Sequence, residues 1–132
     1  MALNSIVNLD FSRKYRITKT KEFAEVYNLG KWFNSPLIDV SVKSNTLGIT
    51  RLGLSVSKSV GSAHKRNLIK RRLRSLFIST HNIQKGWDIV VIPKKESLET
   101  DFKLFRKTFI SSLQYLSVIP ITTTNSENLN EK

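Results

Sequence analysis

Residues 62–80 constrain the fold more than any other segment, because they repeat at helical period on two sides at once. At ~100° per residue, Ile69, Leu73, Leu76 and Phe77 fall in one narrow arc, while Asn67, Lys70, Arg71 and Arg74, at i, i+3, i+4 and i+7, share another face. A helix divided in this way lies on the surface of a core, with its apolar stripe turned down onto a second layer. Its cations have no carboxylate at i+4 to pair with, so their mutual repulsion costs stability unless a polyanion is present.

The flanks supply the second layer. Before this helix, LIDVSVK alternates Ile38, Val40 and Val42 with polar positions, and RLGLSVSKS alternates Leu52, Leu54 and Val56 with Gly53, Ser55 and Ser57; both are strand patterns. The small residues of the second strand leave room for something to approach that face of the sheet. KWFNS, ended by Pro36, is a candidate short strand. After the helix, WDIVVIP suits a buried strand ending at Pro93. Two further helices bracket the set. One runs from 20 to 29, with Thr20 as N-cap and Gly30 as its stop. The other runs from 98 to 116, with Phe102, Phe105, Phe109, Leu113 and Leu116 on its core stripe. The pattern predicts an α/β fold, in the form of an α+β two-layer sandwich on one central mixed sheet, in the order α-β-β-β-α-β-α. Residues 1–12 read as a flexible arm, 13–118 as the single domain and 119–132 as a disordered polar tail.

Charge narrows the function. The chain has 22 Lys and Arg against 10 Asp and Glu, a net +12, and no acidic residue stands between Asp39 and Asp88. A polyanionic partner is implied. The chain has no cysteine, which excludes disulfides, thiolate zinc sites and cysteine nucleophiles. The two histidines, His64 and His81, are too few for an all-histidine metal site and read as surface imidazoles. No signal peptide and no run of ~20 apolar residues is evident, so a cytoplasmic location is expected. A protein nuclease would need clustered carboxylates or a poised base, and the acids here are scattered outside the basic middle.

Arg51 to Phe77, RLGLSVSKSVGSAHKRNLIKRRLRSLF, is similar to the signature of the bacterial ribonuclease P protein family: a strand LGxSVSK, a glycine, then a helix with RNxxKRxxR. The likeness extends through TKEFAEVYNLGKWF before it and GWDIVVIPKK after it, over about residues 13 to 116. The resemblance implies a ribosomal protein S5 domain 2-like fold with a left-handed βαβ crossover, where the general rule would give a right-handed one. It also implies an RNA-binding subunit of the endoribonuclease ribonuclease P, a hydrolase that removes the 5′ leader of precursor tRNA. The chemistry is carried by the catalytic RNA and its magnesium, and the protein contributes no catalytic residue, metal or cofactor of its own. The implied partners are the catalytic RNA and precursor tRNA, with one protein monomer per RNA.

Carried over by position, the RNA-facing residues are Arg66, Asn67, Lys70, Arg71 and Arg74. The leader cleft falls to Phe23 and Tyr27, with Lys58 and Ser41 of the sheet face. The chain departs from the family at His64, at Ser75 and at Ser41, where many members carry a tyrosine; Trp32 or Phe33 are the candidates to compensate. The residues fit this division of labour. A helical row of Lys and Arg tracks phosphates with salt-dependent affinity, and Arg adds bidentate contacts. Aromatics stack on the exposed bases of single strands. A ribosomal protein or general RNA chaperone of related fold is the alternative, and an aromatic pair at helical spacing, such as Phe23 and Tyr27, also suits a core.

Overall fold

The computed structural model describes residues 13–120; the expected flexible arm, and all but the first two residues of the expected disordered tail, lie outside the described residues. The elements are α1 (Thr20–Leu29), β1 (Lys31–Asn34), β2 (Ile38–Ser44), β3 (Arg51–Leu54), α2 (Ala63–Ser79), β4 (Trp87–Pro93), a one-turn α3 (Glu96–Glu99) and α4 (Phe102–Tyr115). Short 3-10 turns at Arg13–Tyr15 and Lys58–Val60 complete the set. The strands form one mixed sheet in the order β1-β2-β4-β3, with β1, β2 and β4 antiparallel and β3 parallel to β4.

Strand alternation sorts the side chains onto two faces. Ile38, Val40, Val42, Leu52, Ile89 and Val91 meet Ile69, Leu73 and Leu76 of α2 and Phe105, Phe109 and Leu113 of α4 in the main core. On the other face Val90 packs with Ile17 and with Val26 of α1, flanked by Phe23 and Ile92. Helices therefore cover both faces, with α1 adding a partial layer to the expected sandwich. Val118 and Ile119 are also core, so the domain reaches one residue past the boundary expected at 118.

The handedness of the β3–α2–β4 connection follows from which way the peptide groups point. In an extended L-chain running upward, a residue whose side chain faces the viewer turns its N–H and C=O to the right. Ser55, continuing β3, belongs to the α1 face, and its N–H donates to Val91 O on β4 at 3.0 Å. Seen from α1, β4 thus lies to the right of β3; seen from the α2 side it lies to the left. The crossover is left-handed, against a preference of about 98% for the right-handed form, as the resemblance implied.

Two expectations are corrected. The last helix does not run unbroken from 98. Asp101 caps a fresh start, accepting from the N–H groups of Lys103 (2.7 Å) and Leu104 (3.4 Å), and Leu98 of the preceding turn packs against the core instead. Phe102, expected on the core stripe, is consequently 48% exposed at the helix start. Thr20 is the first residue of α1 and not its cap; Lys19 holds the cap position without a side-chain bond.

Candidate nucleic-acid interface

Helix α2 presents its cations as its periodicity requires. Ser62 caps it, accepting from Lys65 N–H at 3.3 Å, and the buried Ile69, Leu73 and Leu76 fix its rotation about its own axis. Asn67 and Arg71 are exposed, whereas Arg66, Lys70 and Arg74 are half-buried along their stems. Arg66 is held in place by its Nε–H, which donates to Gly61 O at 3.1 Å. Among the described residues none of these cations is in a salt bridge.

The structure adds a residue that sequence reasoning missed. Arg16 makes an isolated parallel bridge with Leu52 at the free edge of β3, and Ile17 N–H donates to Leu52 O at 3.0 Å. This places Arg16 beside α2, where Arg16, Thr18, Lys70 and Arg74 rim a pocket of about 120 Å³ floored by Ile17, Leu52 and Leu54. Burial, and then the nearby charge of Arg16, push Arg74 below the ordinary guanidinium value. Three cations around so small a pocket favour an anion between them. A single bridge in an irregular segment has no period, so no sequence signal marked it.

On the other face of the sheet, α1 and strands β3 and β4 enclose an open groove of about 440 Å³. Thr20, Phe23, Ala24, Tyr27 and Asn28 form the helical wall, and Leu54, Ser55, Val90 and Ile92 form the floor. The missing side chain of Gly53 creates the seat for Phe23: a Cβ there would lie 2.9 Å from Phe23 Cε1 and 3.0 Å from Ile17 Cβ. The small-residue face of β3 is thus approached first by the protein's own Phe23 and Ile17. Phe23 is half-buried and wedges α1 onto the sheet while still lining the groove; Tyr27 is 56% exposed.

An ion cluster fixes the start of α1 over this floor. Arg51 grips Asp88 through both carboxylate oxygens, Nε to Oδ1 at 3.0 Å and Nη2 to Oδ2 at 2.8 Å, and reaches Glu22 of α1 at 3.2 Å. The bond to Asp88 and the two carboxylate charges outweigh burial and hold Arg51 well above its ordinary value. Asn45 also donates to Asp88 at 2.8 Å, so the carboxylate is well satisfied.

The remaining expected cleft residues fare differently. Ser41 is fully buried, and its hydroxyl donates to Val26 O at 2.8 Å beneath α1, so it cannot face a ligand. Gly30 permits that close approach, since a Cβ there would collide with Ser41 Oγ and Val26 O. Lys58 is exposed on its 3-10 turn and does not line the groove. Phe33 lies on the opposite face against Tyr115, ring centroids 5.5 Å apart, and cannot compensate for Ser41.

Residues 11–117 match the Ribonuclease P family. This chain belongs to the ribonuclease P protein family. The family's "Ribonuclease P protein component" from Clostridium botulinum is 35% identical over 104 residues, 77% of this chain and 94% of that protein. Among solved structures, the RNase P protein of Staphylococcus aureus aligns with a TM-score of 0.71 at 30% identity, covering 80% of this chain and 97% of that one. The RNase P protein of Thermotoga maritima aligns at 0.66 and 32%, covering 73% and 92%. The mixed sheet with its helices is thus the family's fold, and membership gives the chain the ribonuclease P RNA as a partner.

Proposed function

We propose that this chain, as the protein component of ribonuclease P, docks on the catalytic RNA through Arg66, Asn67, Lys70, Arg71 and Arg74 of α2 together with Arg16. The groove under α1 receives the single-stranded 5′ leader of precursor tRNA at Phe23 and Tyr27. The observation that carries the reading is adjacency: Leu54 of β3 lines both the groove and the cation-rimmed pocket. A leader in the groove would therefore lie one strand's width from phosphates held by α2. Counter-charge at α2 offsets phosphate repulsion in the folded RNA, and stacking in the groove adds affinity only for substrates that carry a leader.

The protein supplies no reacting group. On this reading the magnesium of the reaction is held by the catalytic RNA. One protein per catalytic RNA is the simplest stoichiometry for a chain with one such pair of surfaces. The test is reconstitution with a bacterial ribonuclease P RNA at low magnesium, scored for cleavage at the mature 5′ end. The protein should lower the magnesium requirement and favour precursor over mature tRNA. A general RNA chaperone would do neither selectively.

A further inference from the structure

The aromatic surface does not stop where the groove does. On β1, Trp32 stands opposite Ser41 in the register, on the sheet face that α1 covers. Its indole meets Tyr27 edge to face, with ring centroids 5.0 Å apart and planes at 89°. The indole N–H donates to the Tyr27 carbonyl at 3.2 Å. Ser41, the cross-strand neighbour of Trp32, is itself turned into α1 through its bond to Val26 O.

Neither ring belongs to a core cluster. Tyr27 and Trp32 are absent both from the main core and from the Ile17–Val26–Val90 cluster, and both keep part of their surface in solvent. Their packing on each other therefore does little to hold the fold together, whereas Phe23, one turn earlier, is wedged against Gly53. What the contact does achieve is to fix two large rings in place: the indole is held by a hydrogen bond at one edge and by a ring contact, and Tyr27 is buttressed in return. Rings ordered in advance lose little freedom when a base stacks on them. Stacking on such a platform is tolerant of sequence and suits single strands.

We propose that Trp32 is a nucleotide-binding residue that, paired with Tyr27, extends the single-strand surface past the end of the groove onto β1, adding a stacking step for about one further base of the leader. The proposal rests on the reading of the groove as the leader site, and its test separates the two. Trp87→Phe leaves Trp32 as the sole indole, because the chain has two tryptophans. Holoenzyme containing this variant is titrated with mature tRNA and with precursors whose leaders grow one nucleotide at a time. Trp32 emission should change only once the leader passes a threshold length. Trp32→Ala should raise the Kd about tenfold for leaders beyond that threshold and by only a small factor for shorter ones, which feel no more than the loosened Tyr27 ring. Trp32→Tyr should restore most of the affinity, which a purely structural defect would not allow. Emission indifferent to leader length, or a Trp32→Ala penalty equal at every length, would overturn the proposal. If Phe23 and Tyr27 substitutions still reduce leader selectivity in that event, only the extension falls; if they too are silent, the groove reading falls with it.

Discussion

The cationic face of α2 and the groove under α1 use the same sheet in opposite ways. On α2 the functional side chains point away from the core, and their placement needs nothing beyond helical period and an apolar stripe to set the rotation. At the groove the walls also hold the fold: Phe23 fills the space left by Gly53, and beside the groove Arg51 ties Glu22 of α1 to Asp88 before any ligand arrives. Charge on an exposed face can thus be removed without disturbing structure, whereas most of the groove cannot be altered without moving a wall. The two surfaces should separate cleanly in salt dependence, and only partly in stability.

The largest effect is expected on α2. Replacing Arg66, Lys70 and Arg71 together by Ala should weaken binding to the catalytic RNA on the order of 100-fold. The salt slope should flatten by roughly 0.7 to 0.9 for each phosphate that is no longer neutralised. Thermal unfolding should barely change, since two of the three residues make no contact that the fold needs. Loss of folded protein in this variant would break the comparison at its first term.

Next come substitutions that strike the groove through the fold. Gly53→Ala pushes a methyl into Phe23 and Ile17 and should cost about 1 to 3 kcal/mol by thermal or denaturant melts, as overpacking usually does. Asp88→Asn strips Arg51 of a charged partner in a site only 12–15% exposed and should cost a similar ~2 kcal/mol or more. If either variant kept full stability while losing RNA affinity, the groove would be no more structural than α2.

Smaller still, and confined to one readout, is Tyr27→Leu. The exposed ring carries little of the core, so stability should hold while selectivity for leader-bearing precursors falls about tenfold with an unchanged salt slope. Glu22→Gln should cost under about 1 kcal/mol, because Glu22 is the more exposed arm of the ion cluster and Arg51 keeps its bidentate hold on Asp88.

The same contrast explains what could be read in advance. The α2 stripe, the alternation of β2 and the apolar run of β4 are local patterns that form where their periods place them, whereas β3 keeps only the first part of its alternation, ending at Leu54 before the 3-10 turn at Lys58–Val60. Ser41 could not be assigned from a pattern that says only which face it shares; its commitment to Val26 depends on Gly30 bringing α1 within reach. Arg51, Glu22 and Asp88 are far apart in sequence and meet only because β3 and β4 are neighbours. Arg16 and Ile17 were hidden for a related reason, docking through a single bridge with no repeat to announce it. Phe102 had a signal that was available, since Asp101 followed by an apolar helical run is a helix start.

The central claim is that affinity from α2 and selectivity from the groove are separable, and a salt titration tests it most directly. Binding of leader-bearing and leaderless tRNA to holoenzyme is measured across ionic strength with the unaltered chain and with Tyr27→Leu, and assembly on the catalytic RNA is measured with the unaltered chain and with the α2 triple variant. The triple variant should flatten the assembly slope alone, and Tyr27→Leu should shrink the gap between the two substrates at every salt concentration without changing a slope. A triple variant that assembles with an unchanged salt slope would contradict the account.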